Sequence, residues 1–368
     1  MARFDLFAQV NVSLPKHEYP IIVCRDGLID SDLVNQIITS DQVLIVTNQT
    51  IAPLYLPVLQ SVLESKQCDV VLLEDGEQFK DQKSLDIIYD TLIKKTHHRD
   101  TTLIALGGGV VGDITGFAAS TYQRGVKFVQ IPTTLLAQVD ASVGGKTAIN
   151  YLEGKNIIGS FYQPEAVLID VNTLSTLPER EFKAGLAEII KYGLLTGGVF
   201  LKQLTESLQQ GITSSSPQLP SLIESCCRIK VSFVELDEKE AGQRALLNLG
   251  HTFAHALESY TNYQYWLHGE AVAIGLYCAA LLSMNLGLID KNLVAQVRKM
   301  IEWAGLPYKI PHDFSLDKLK ELMKLDKKNK NNSVRFVVIN KPGDCYLQDQ
   351  ITEECLHNTL ISAVEGEQ

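Results

Sequence analysis

Short apolar runs alternate with helical segments from the start of the chain to about residue 178. Six runs have the length and composition of strands buried on both faces, namely YPIIVC, VLIVTN, DVVLLEDG, TTLIALGGG, KFVQIPT and AVLIDV. The segment FAQVNVSL alternates apolar and polar residues instead, which predicts an edge strand. Buried strands separated by helices predict a mainly parallel sheet. We therefore predict an α/β domain over residues 1–178.

From residue 179 onward the apolar spacing becomes helical. Helices are predicted for FKAGLAEIIKYGLL, VFLKQLTESLQQ, RALLNLGHTFAHALES and GEAVAIGLYCAALLSMNLG. The turn-rich stretch GITSSSPQLPS is a connector between two helices, and SVRFVVIN predicts a short hairpin strand near the C-terminus. A chain of 368 residues is too long for one ordinary core. The remainder, residues 179–368, is thus predicted to be a second, mostly helical domain.

One predicted helix, over residues 244–258, carries a polar stripe on an apolar background. The stripe consists of Arg244, Asn248, His251, His255 and Glu258. Their spacing of i, i+4, i+7, i+11 and i+14 places all five on one face of a continuous helix. Because buried polar groups without partners are costly, we interpret this face as the wall of a binding site. A third histidine, His268, follows at the start of the next helix.

A glycine loop follows the strand TTLIAL. Gly107, Gly109 and Gly112 match G-x-G-x-x-G between a strand and a helix, a context that predicts dinucleotide binding. The acidic residue expected about 20 positions further on is missing. A second cluster, Gly144–Thr147, resembles the end of a P-loop, but Asp140 stands where that motif requires glycine, which excludes it. Lys146 in this cluster still indicates a contact with an anion.

The residue types near the stripe suit a metal. Catalytic zinc takes three protein ligands, typically histidines and a carboxylate. The candidates are His251, His255, His268 and Glu188. Spacing alone favours His251 with His255, but Thr252 replaces the glutamate of the H-E-x-x-H protease motif. For Glu188 and Lys191, a buried i, i+3 ion pair is an equally good explanation.

Composition narrows the class of protein. The net charge of −10, with no basic patch, argues against a nucleic-acid partner but allows a small anionic substrate. The seven cysteines form no C-x-x-C pair, which favours free thiols in a reducing compartment. The N-terminus lacks a signal-peptide pattern, and no apolar stretch reaches about 18 residues. We expect a cytoplasmic protein without a membrane partner.

Taken together, several segments resemble the 3-dehydroquinate synthases, a family of sugar phosphate cyclases. The matching segments are DGEQFK (75–80), GGGVVGD (107–113), YQRG (122–125), IPTTLLAQVDASVGGKTAIN (131–150), GKNIIGSFYQP (154–164), TLPERE (176–181), GLAEIIKYGL (185–194), RALLNLGHTFAHALE (244–258) and HGEAVAIG (268–275). They occur in order over most of the chain, so their combined specificity is high.

The resemblance implies cofactors and site residues. It assigns zinc, with cobalt as an alternative, to Glu188, His251 and His268, whereas His255 faces the substrate. The residues implied for NAD are Asp75, Gly76, Glu77, Gln78, Phe79, Lys80, Gly109, Val110, Val111, Gly112, Asp113, Thr133, Thr134, Asp140, Lys146, Lys155, Thr173, Leu174, Ser175, Thr176, Leu177 and Glu181. Those implied for catalysis or substrate binding are Arg124, Asp140, Lys146, Asn156, Lys191, Lys230, Arg244, Asn248 and His255, with either Lys327 or Lys328. Glu77 would replace the missing acidic residue of the glycine loop, and Glu258 keeps the role of a partner or cap.

The implied reaction converts 3-deoxy-D-arabino-heptulosonate 7-phosphate to 3-dehydroquinate and phosphate. NAD accepts hydride from C5, phosphate is eliminated, hydride returns, and ring opening precedes an intramolecular aldol closure. A homodimer is expected from the family. The alternatives are a cyclase that makes an inosose or valiolone, a metal-dependent glycerol-type alcohol dehydrogenase, and a non-catalytic metal- or nucleotide-binding protein. The presence of Lys191, Lys230, Arg244 and Asn248 favours the carboxylate-bearing substrate over an inosose or valiolone precursor.

Overall fold

The structure, a computed structural model, describes residues 4–152, 154–324 and 334–364. Its strands are β1 (Asp5–Leu14), β2 (His17–Arg25), β3 (Gln42–Asn48), β4 (Gln67–Leu73), β5 (Thr102–Gly107), β6 (Lys127–Pro132), β7 (Lys146–Tyr151), β8 (Gly154–Phe161), β9 (Ala166–Asp170), β10 (Phe336–Lys341) and β11 (Asp344–Gln348). Its α-helices are α1 (Ser31–Ile37), α2 (Ala52–Val62), α3 (Gln82–Lys94), α4 (Gly109–Thr121), α5 (Glu179–Thr196), α6 (Gly198–Gln210), α7 (Leu219–Leu236), α8 (His251–Tyr260), α9 (His268–Asn285), α10 (Lys291–Trp303), α11 (Leu316–Lys324) and α12 (Glu353–Ala363).

The described residues form two compact units. The first comprises residues up to Pro178 together with Leu219–Lys239, and the second comprises Glu179–Gln218 and the residues from Glu240 onward. The sequence analysis assigned residues 219–239 to the second domain, and the structure corrects this. Helix α7, which spans most of that segment, packs against β1 and β2. Its apolar face, with Leu222 and Ile223, is buried there within the first unit.

The first unit is built on a seven-stranded sheet with the order β1-β2-β9-β6-β5-β3-β4. All neighbouring strands are parallel except β1 and β2, which pair antiparallel, so β1 is the edge strand that its alternating pattern predicted. Consecutive residues of β3, β5 and β6 enter two apolar clusters on opposite faces; Leu44 and Ile45 are both fully buried in this way. The predicted α/β fold with a buried, mainly parallel sheet is confirmed.

One hairpin in this unit is not predicted by the sequence pattern. Strands β7 and β8 pair antiparallel outside the main sheet and pack against α4. Small residues at Ala148 and Gly159 give these strands a weak local signal. The close approach of the two strands requires them, because a Cβ at residue 159 would lie 2.2 Å from the carbonyl oxygen of Thr147. Tertiary packing, rather than local pattern, therefore specifies this hairpin.

The second unit is mostly helical, as predicted, and α9 is buried along nearly its whole length. The hairpin of β10 and β11 confirms the predicted C-terminal strand. Across the described residues, no helix combines the length and apolar character that crossing a membrane would require.

The predicted continuous helix over residues 244–258 is wrong. A short 3-10 helix covers Gln243–Asn248, and α8 starts afresh at His251. Between them Gly250 has a φ of +80°, which glycine adopts readily and other residues rarely do. A Cβ at this position would also lie 2.8 Å from the backbone nitrogen of Leu276 on α9. The helix is therefore interrupted at Gly250, and α9 packs so close to this residue that only glycine fits.

Candidate functional site

Three side chains of the second unit converge as a metal site would require. The ligand atoms of Glu188, His251 and His268 all lie within 4.8 Å of one another. Glu188 Oε1 is 3.6 Å from Nε2 of His251 and 3.8 Å from Nε2 of His268. Two imidazoles and a carboxylate match the donor set of catalytic zinc, which leaves a further position for substrate or water. Within the described residues, the structure brings His268, and not His255, into this group.

Close backbone contacts bring these three ligands together. Gly269, next to His268, lies against Ala184 on α5, one helical turn before Glu188; a Cβ at residue 269 would lie 1.9 Å from the Ala184 carbonyl oxygen. Gly275, farther along α9, lies against Gly250, the residue before His251. Helices that touch backbone to backbone hold their side chains at fixed separations. Each ligand is thus within one helical turn of a point where two helices meet.

Hydrogen bonds orient both histidine rings. His251 Nδ1 lies 3.1 Å from the carbonyl oxygen of Leu249, and His268 Nδ1 lies 3.2 Å from Glu258 Oε1. Because a carbonyl and a carboxylate oxygen accept hydrogen bonds, Nδ1 is the donor in both contacts, and Nε2, on the side of each ring toward Glu188, is the atom that would bind a metal. The rings are therefore in the tautomer that a metal needs, and the donor set fits zinc or cobalt.

Glu188 is both a candidate metal ligand and the partner of Lys191 in a buried ion pair. Lys191 Nζ lies 2.5 Å from Glu188 Oε2, and both side chains are 1% exposed. The buried i, i+3 ion pair exists, and the same Glu188 carboxylate faces the histidines through its other oxygen. Lys191 is consequently placed beside the metal cluster.

The remaining stripe residues lie on two separate elements. His255 is half-buried on α8, with its ring 5.7 Å from that of His251 and 6.4 Å from that of His268. Arg244 and Asn248 lie on the 3-10 helix, where Arg244 is fully buried. The Asn248 amide donates to Glu240 Oε1 at 2.7 Å. Glu240 is a site residue that the sequence analysis missed, since it precedes the stripe.

In the first unit, the glycine loop has the predicted strand–turn–helix form. Strand β5 ends at Gly107, Gly108 caps the helix and α4 begins at Gly109. Within this loop and the first turn of α4, a Cβ at residue 108 would lie 3.1 Å from Thr134, and one at residue 112 would lie 2.8 Å from Gln130. Neighbouring side chains thus pack too close to these two positions for a larger residue than glycine, and the amide groups at the start of α4 form the kind of helix N-terminus that binds phosphate.

Lys80 joins several of the predicted NAD and substrate residues. Its Nζ lies 2.5 Å from Asp113 Oδ2 and 2.5 Å from Asn156 Oδ1. Asn150, which the sequence analysis did not select, donates to Glu77 Oε1 at 2.9 Å and accepts from the Asn156 amide at 2.8 Å. Burial raises the pKa of the Asp113 carboxyl, and the nearby Lys80 ammonium opposes that rise. The network holds Glu77, Lys80, Asp113 and Asn156 together.

Two other predicted NAD segments are held by residues that sequence reasoning missed. Asn48, at the end of β3, donates to Asp75 Oδ1 at 2.9 Å, and Thr50 donates to Asp75 Oδ2 at 2.7 Å. Tyr55 on α2 donates to the carbonyl of Thr173 at 3.0 Å. Asn48 and Thr50 lie at the carboxyl end of β3, and Tyr55 contacts a residue that follows β9. Because parallel sheets bind ligands at the carboxyl ends of their strands, polar side chains there indicate a binding site.

A further ion pair lies in the first unit. Lys230 on α7 contacts Asp140 through its backbone oxygen at 2.6 Å and its carboxylate at 3.1 Å. The Arg124 and Lys146 side chains are exposed. Thr133 is buried, whereas Lys155 and Thr134 are half-buried. Lys327 and Lys328 lie outside the described residues.

The chain matches families and individual proteins that are already known. The 3-dehydroquinate synthase N-terminal family model matches residues 70–184 and the C-terminal one matches residues 185–329. A 3-dehydroquinate synthase of Legionella pneumophila (strain Paris) is 69% identical over 368 residues, which is 100% of both chains. The chain belongs to the 3-dehydroquinate synthase family. A member from Coxiella burnetii (strain RSA 331 / Henzerling II) is 47% identical over 353 residues, covering 96% of this chain and 98% of that one.

Solved structures of other enzymes share the fold of this chain. A 2-epi-5-epi-valiolone synthase from Streptomyces hygroscopicus subsp. jinggangensis 5008, with NAD+ and Zn2+ bound, matches with a TM-score of 0.85 and 25% identity over 95% of this chain and 98% of that chain. A glycerol dehydrogenase from Sinorhizobium meliloti 1021, described as probable, matches with a TM-score of 0.64 and 15% identity over 92% and 94%. The second likeness shows the fold alone.

Proposed function

We propose that this chain is a lyase that converts 3-deoxy-D-arabino-heptulosonate 7-phosphate to 3-dehydroquinate and phosphate. The observation that carries the proposal is the cluster of Glu188, His251 and His268 with both histidine Nε2 atoms directed at the carboxylate. The full-length identity of 69% to a protein named for this activity supports it. The enzyme would use NAD and one divalent metal, zinc or cobalt, and would act in the cytoplasm as a homodimer.

The first unit would hold NAD. The glycine-lined start of α4 would receive the pyrophosphate, and Glu77, which accepts from Asn150, would take the place of the acidic residue that binds a ribose hydroxyl. Asp75, fixed by Asn48 and Thr50, would be a further NAD contact. Bound NAD supplies a reversible hydride acceptor, so no net redox change occurs. Lys80 and Asn156 are already held by the hydrogen bonds of the network that contains Asp113. These two side chains would therefore lose little conformational entropy when the cofactor binds.

The second unit would bind the metal and orient the substrate. Glu188, His251 and His268 would hold the ion, and a divalent metal bound there would supply the positive charge that makes the substrate hydroxyl easier to deprotonate. Lys191 and Arg244 carry positive charge in buried positions, where they can pair with the substrate carboxylate. His255, half-buried near both ligand histidines, is placed to relay a proton at the oxidised hydroxyl. In the first unit, Arg124 and Lys146 are exposed and positively charged, which suits contact with a phosphate.

The deciding experiment measures phosphate release. Purified protein loaded with zinc and given a trace of NAD should release phosphate from the heptulosonate phosphate and form 3-dehydroquinate. Chelation of the metal or removal of NAD should abolish both products. No NADH should accumulate, because hydride returns to the substrate. A metal-loaded, NAD-supplied protein that releases no phosphate from this substrate would falsify the proposal.

The same assay separates the alternatives. A valiolone or inosose cyclase would act instead on a sugar phosphate without a carboxylate, and a glycerol-type dehydrogenase would accumulate NADH with a polyol. Lys191, beside the ligand cluster, and Arg244 are buried and positively charged, and cations of this kind favour a substrate that carries a carboxylate. Substrate preference between the heptulosonate phosphate and sugar phosphates without a carboxylate separates the cyclases, and NADH accumulation with a polyol identifies the dehydrogenase.

A further inference from the structure

Glu258 is a buried carboxylate that is neither one of the candidate metal ligands nor one of the implied substrate contacts. It is 3% exposed and lies in the last turn of α8. A carboxylate at the C-terminal end of a helix faces the negative end of the helix dipole, which raises its cost. Burial adds a desolvation cost. Helix stability therefore does not explain a glutamate at this position.

The contact with His268 on α9 explains why a glutamate stands at residue 258. Glu258 Oε1 lies 3.2 Å from His268 Nδ1, while Nε2 on the opposite side of that ring faces Glu188. His251 differs, because its Nδ1 bonds to the neutral Leu249 carbonyl. The two ligand rings thus have unequal partners: one is held by a backbone dipole and the other by a full negative charge.

We propose that Glu258 is a positioning residue that sets the metal affinity of the site through His268. The inference rests on the proposed function, in which His268 is a metal ligand. Accepting the Nδ1 proton keeps His268 in the tautomer with a free Nε2 and makes that nitrogen a stronger donor. Glu258 also adds a second negative charge near a divalent ion that Glu188 alone does not neutralise.

The position of Glu258 along α8 supports this role. His251 and Glu258 are seven residues, about two helical turns, apart, so they share one face of the helix. One helix thereby supplies a ligand directly and the carboxylate that orients a ligand on α9. A contact between Gly250 and Gly275, about two turns from Glu258 and His268, packs the same two helices against each other.

The test uses two variants and a matched control, all in the full chain. Glu258→Gln keeps the shape and removes the charge, and Glu258→Ala removes the acceptor as well. Glu206→Gln on α6 removes a charge from an exposed glutamate of the same unit. Zinc affinity is measured by competition with a chelator, and cobalt-loaded protein is examined by its visible absorption. Neither measurement depends on activity.

We expect Glu258→Ala to weaken zinc binding by about 10- to 100-fold and Glu258→Gln to fall between it and the wild type. The cobalt spectrum should shift in both variants and stay unchanged in Glu206→Gln. Thermal unfolding of the metal-free proteins should remain close to the wild type for Glu258→Gln, which separates positioning from a general loss of structure. Zinc affinities within twofold of the wild type in both Glu258 variants would overturn the inference. If the wild type itself binds no metal, the proposed function fails first, so the two failures are distinguishable.

Discussion

Gly269 and Ala184 touch so closely that the backbone of one helix occupies the space that a side chain on the other would need. A Cβ at residue 269 would lie 1.9 Å from the carbonyl oxygen of Ala184. Ala184 is one turn before Glu188, and Gly269 is next to His268. This contact therefore sets the distance between two of the three candidate metal ligands.

Replacing Gly269 by alanine should separate α5 from α9 and disrupt the metal site. The added methyl group must push against backbone, which cannot give way as a flexible side chain can, and overpacking of this kind costs about 1–3 kcal/mol. We expect lower thermal stability together with loss of stoichiometric zinc, measured by elemental analysis after dialysis. Gly198→Ala is a control for added bulk, since nothing lies within 4 Å of its Cβ position. Its φ of +57° will cost some stability, but zinc should be retained.

Glu188→Ala and His255→Ala should separate metal binding from proton transfer. Glu188→Ala removes one of three ligands and should lose stoichiometric zinc. His255→Ala should keep zinc and lower kcat by about 10²- to 10⁴-fold, the usual contribution of a general acid or base. Zinc content and kcat are measured on the same samples. Loss of zinc from His255→Ala would instead support the pairing of His251 with His255.

Lys80→Met should destabilise the first unit, and the effect should grow with pH. It leaves the Asp113 carboxyl, which is 20% exposed, without its ammonium partner, and the cost stays below the roughly 3–5 kcal/mol of breaking a fully buried pair. Burial already raises the pKa of Asp113, and without Lys80 the opposing effect is lost. A raised carboxyl pKa favours the protonated form, so this penalty is smallest at low pH and increases as pH rises through that pKa. Denaturant unfolding at pH 5 and pH 8 measures it, and Asp113→Asn added to Lys80→Met should restore part of the lost stability.

His97→Gln should make the protein less sensitive to mild acid. Burial lowers the pKa of His97, although Asp69, 3.3 Å away, opposes that shift. The unfolded chain therefore binds a proton before the folded one does, and stability is lost as pH falls below the ordinary histidine pKa of about 6.5. Each such proton contributes at most about 1.4 kcal/mol per pH unit. Unfolding free energies between pH 5 and 7.5 should show a smaller slope in His97→Gln, with the exposed His98→Gln as control; equal slopes in wild type and His97→Gln would contradict the expectation.

The sequence predicted the features that depend on local pattern. The buried strands, the edge strand β1 and the turn into α4 follow from apolar runs and glycine positions that the chain itself displays. The polar residues around 244–258 indicated a site, but their periodicity implied one helix. Gly250 breaks that helix because of α9, a neighbour that periodicity cannot reveal.

The orienting contacts were also beyond sequence reasoning. Asn48, Asn150 and Glu240 are ordinary polar residues in the sequence, and their partners are distant along the chain or unremarkable in spacing. Spacing in the sequence also failed to identify the set of candidate metal ligands. Spacing favoured His255 beside His251, whereas the glycine contacts of α9 bring His268 into the group. Only the resemblance to a family pointed to that set.

The return of α7 to the first unit constrains how the chain can fold during synthesis. The sheet contains β1 near the N-terminus, yet the helix that covers β1 and β2 ends at Leu236. A ribosome-bound chain of about 180 residues would expose an apolar surface on those strands until α7 emerges. Residues 179–218, which belong to the other unit, are made before that happens. The first unit can therefore be completed only after part of the second has been made, and a fragment cut at Pro178 should be prone to aggregation.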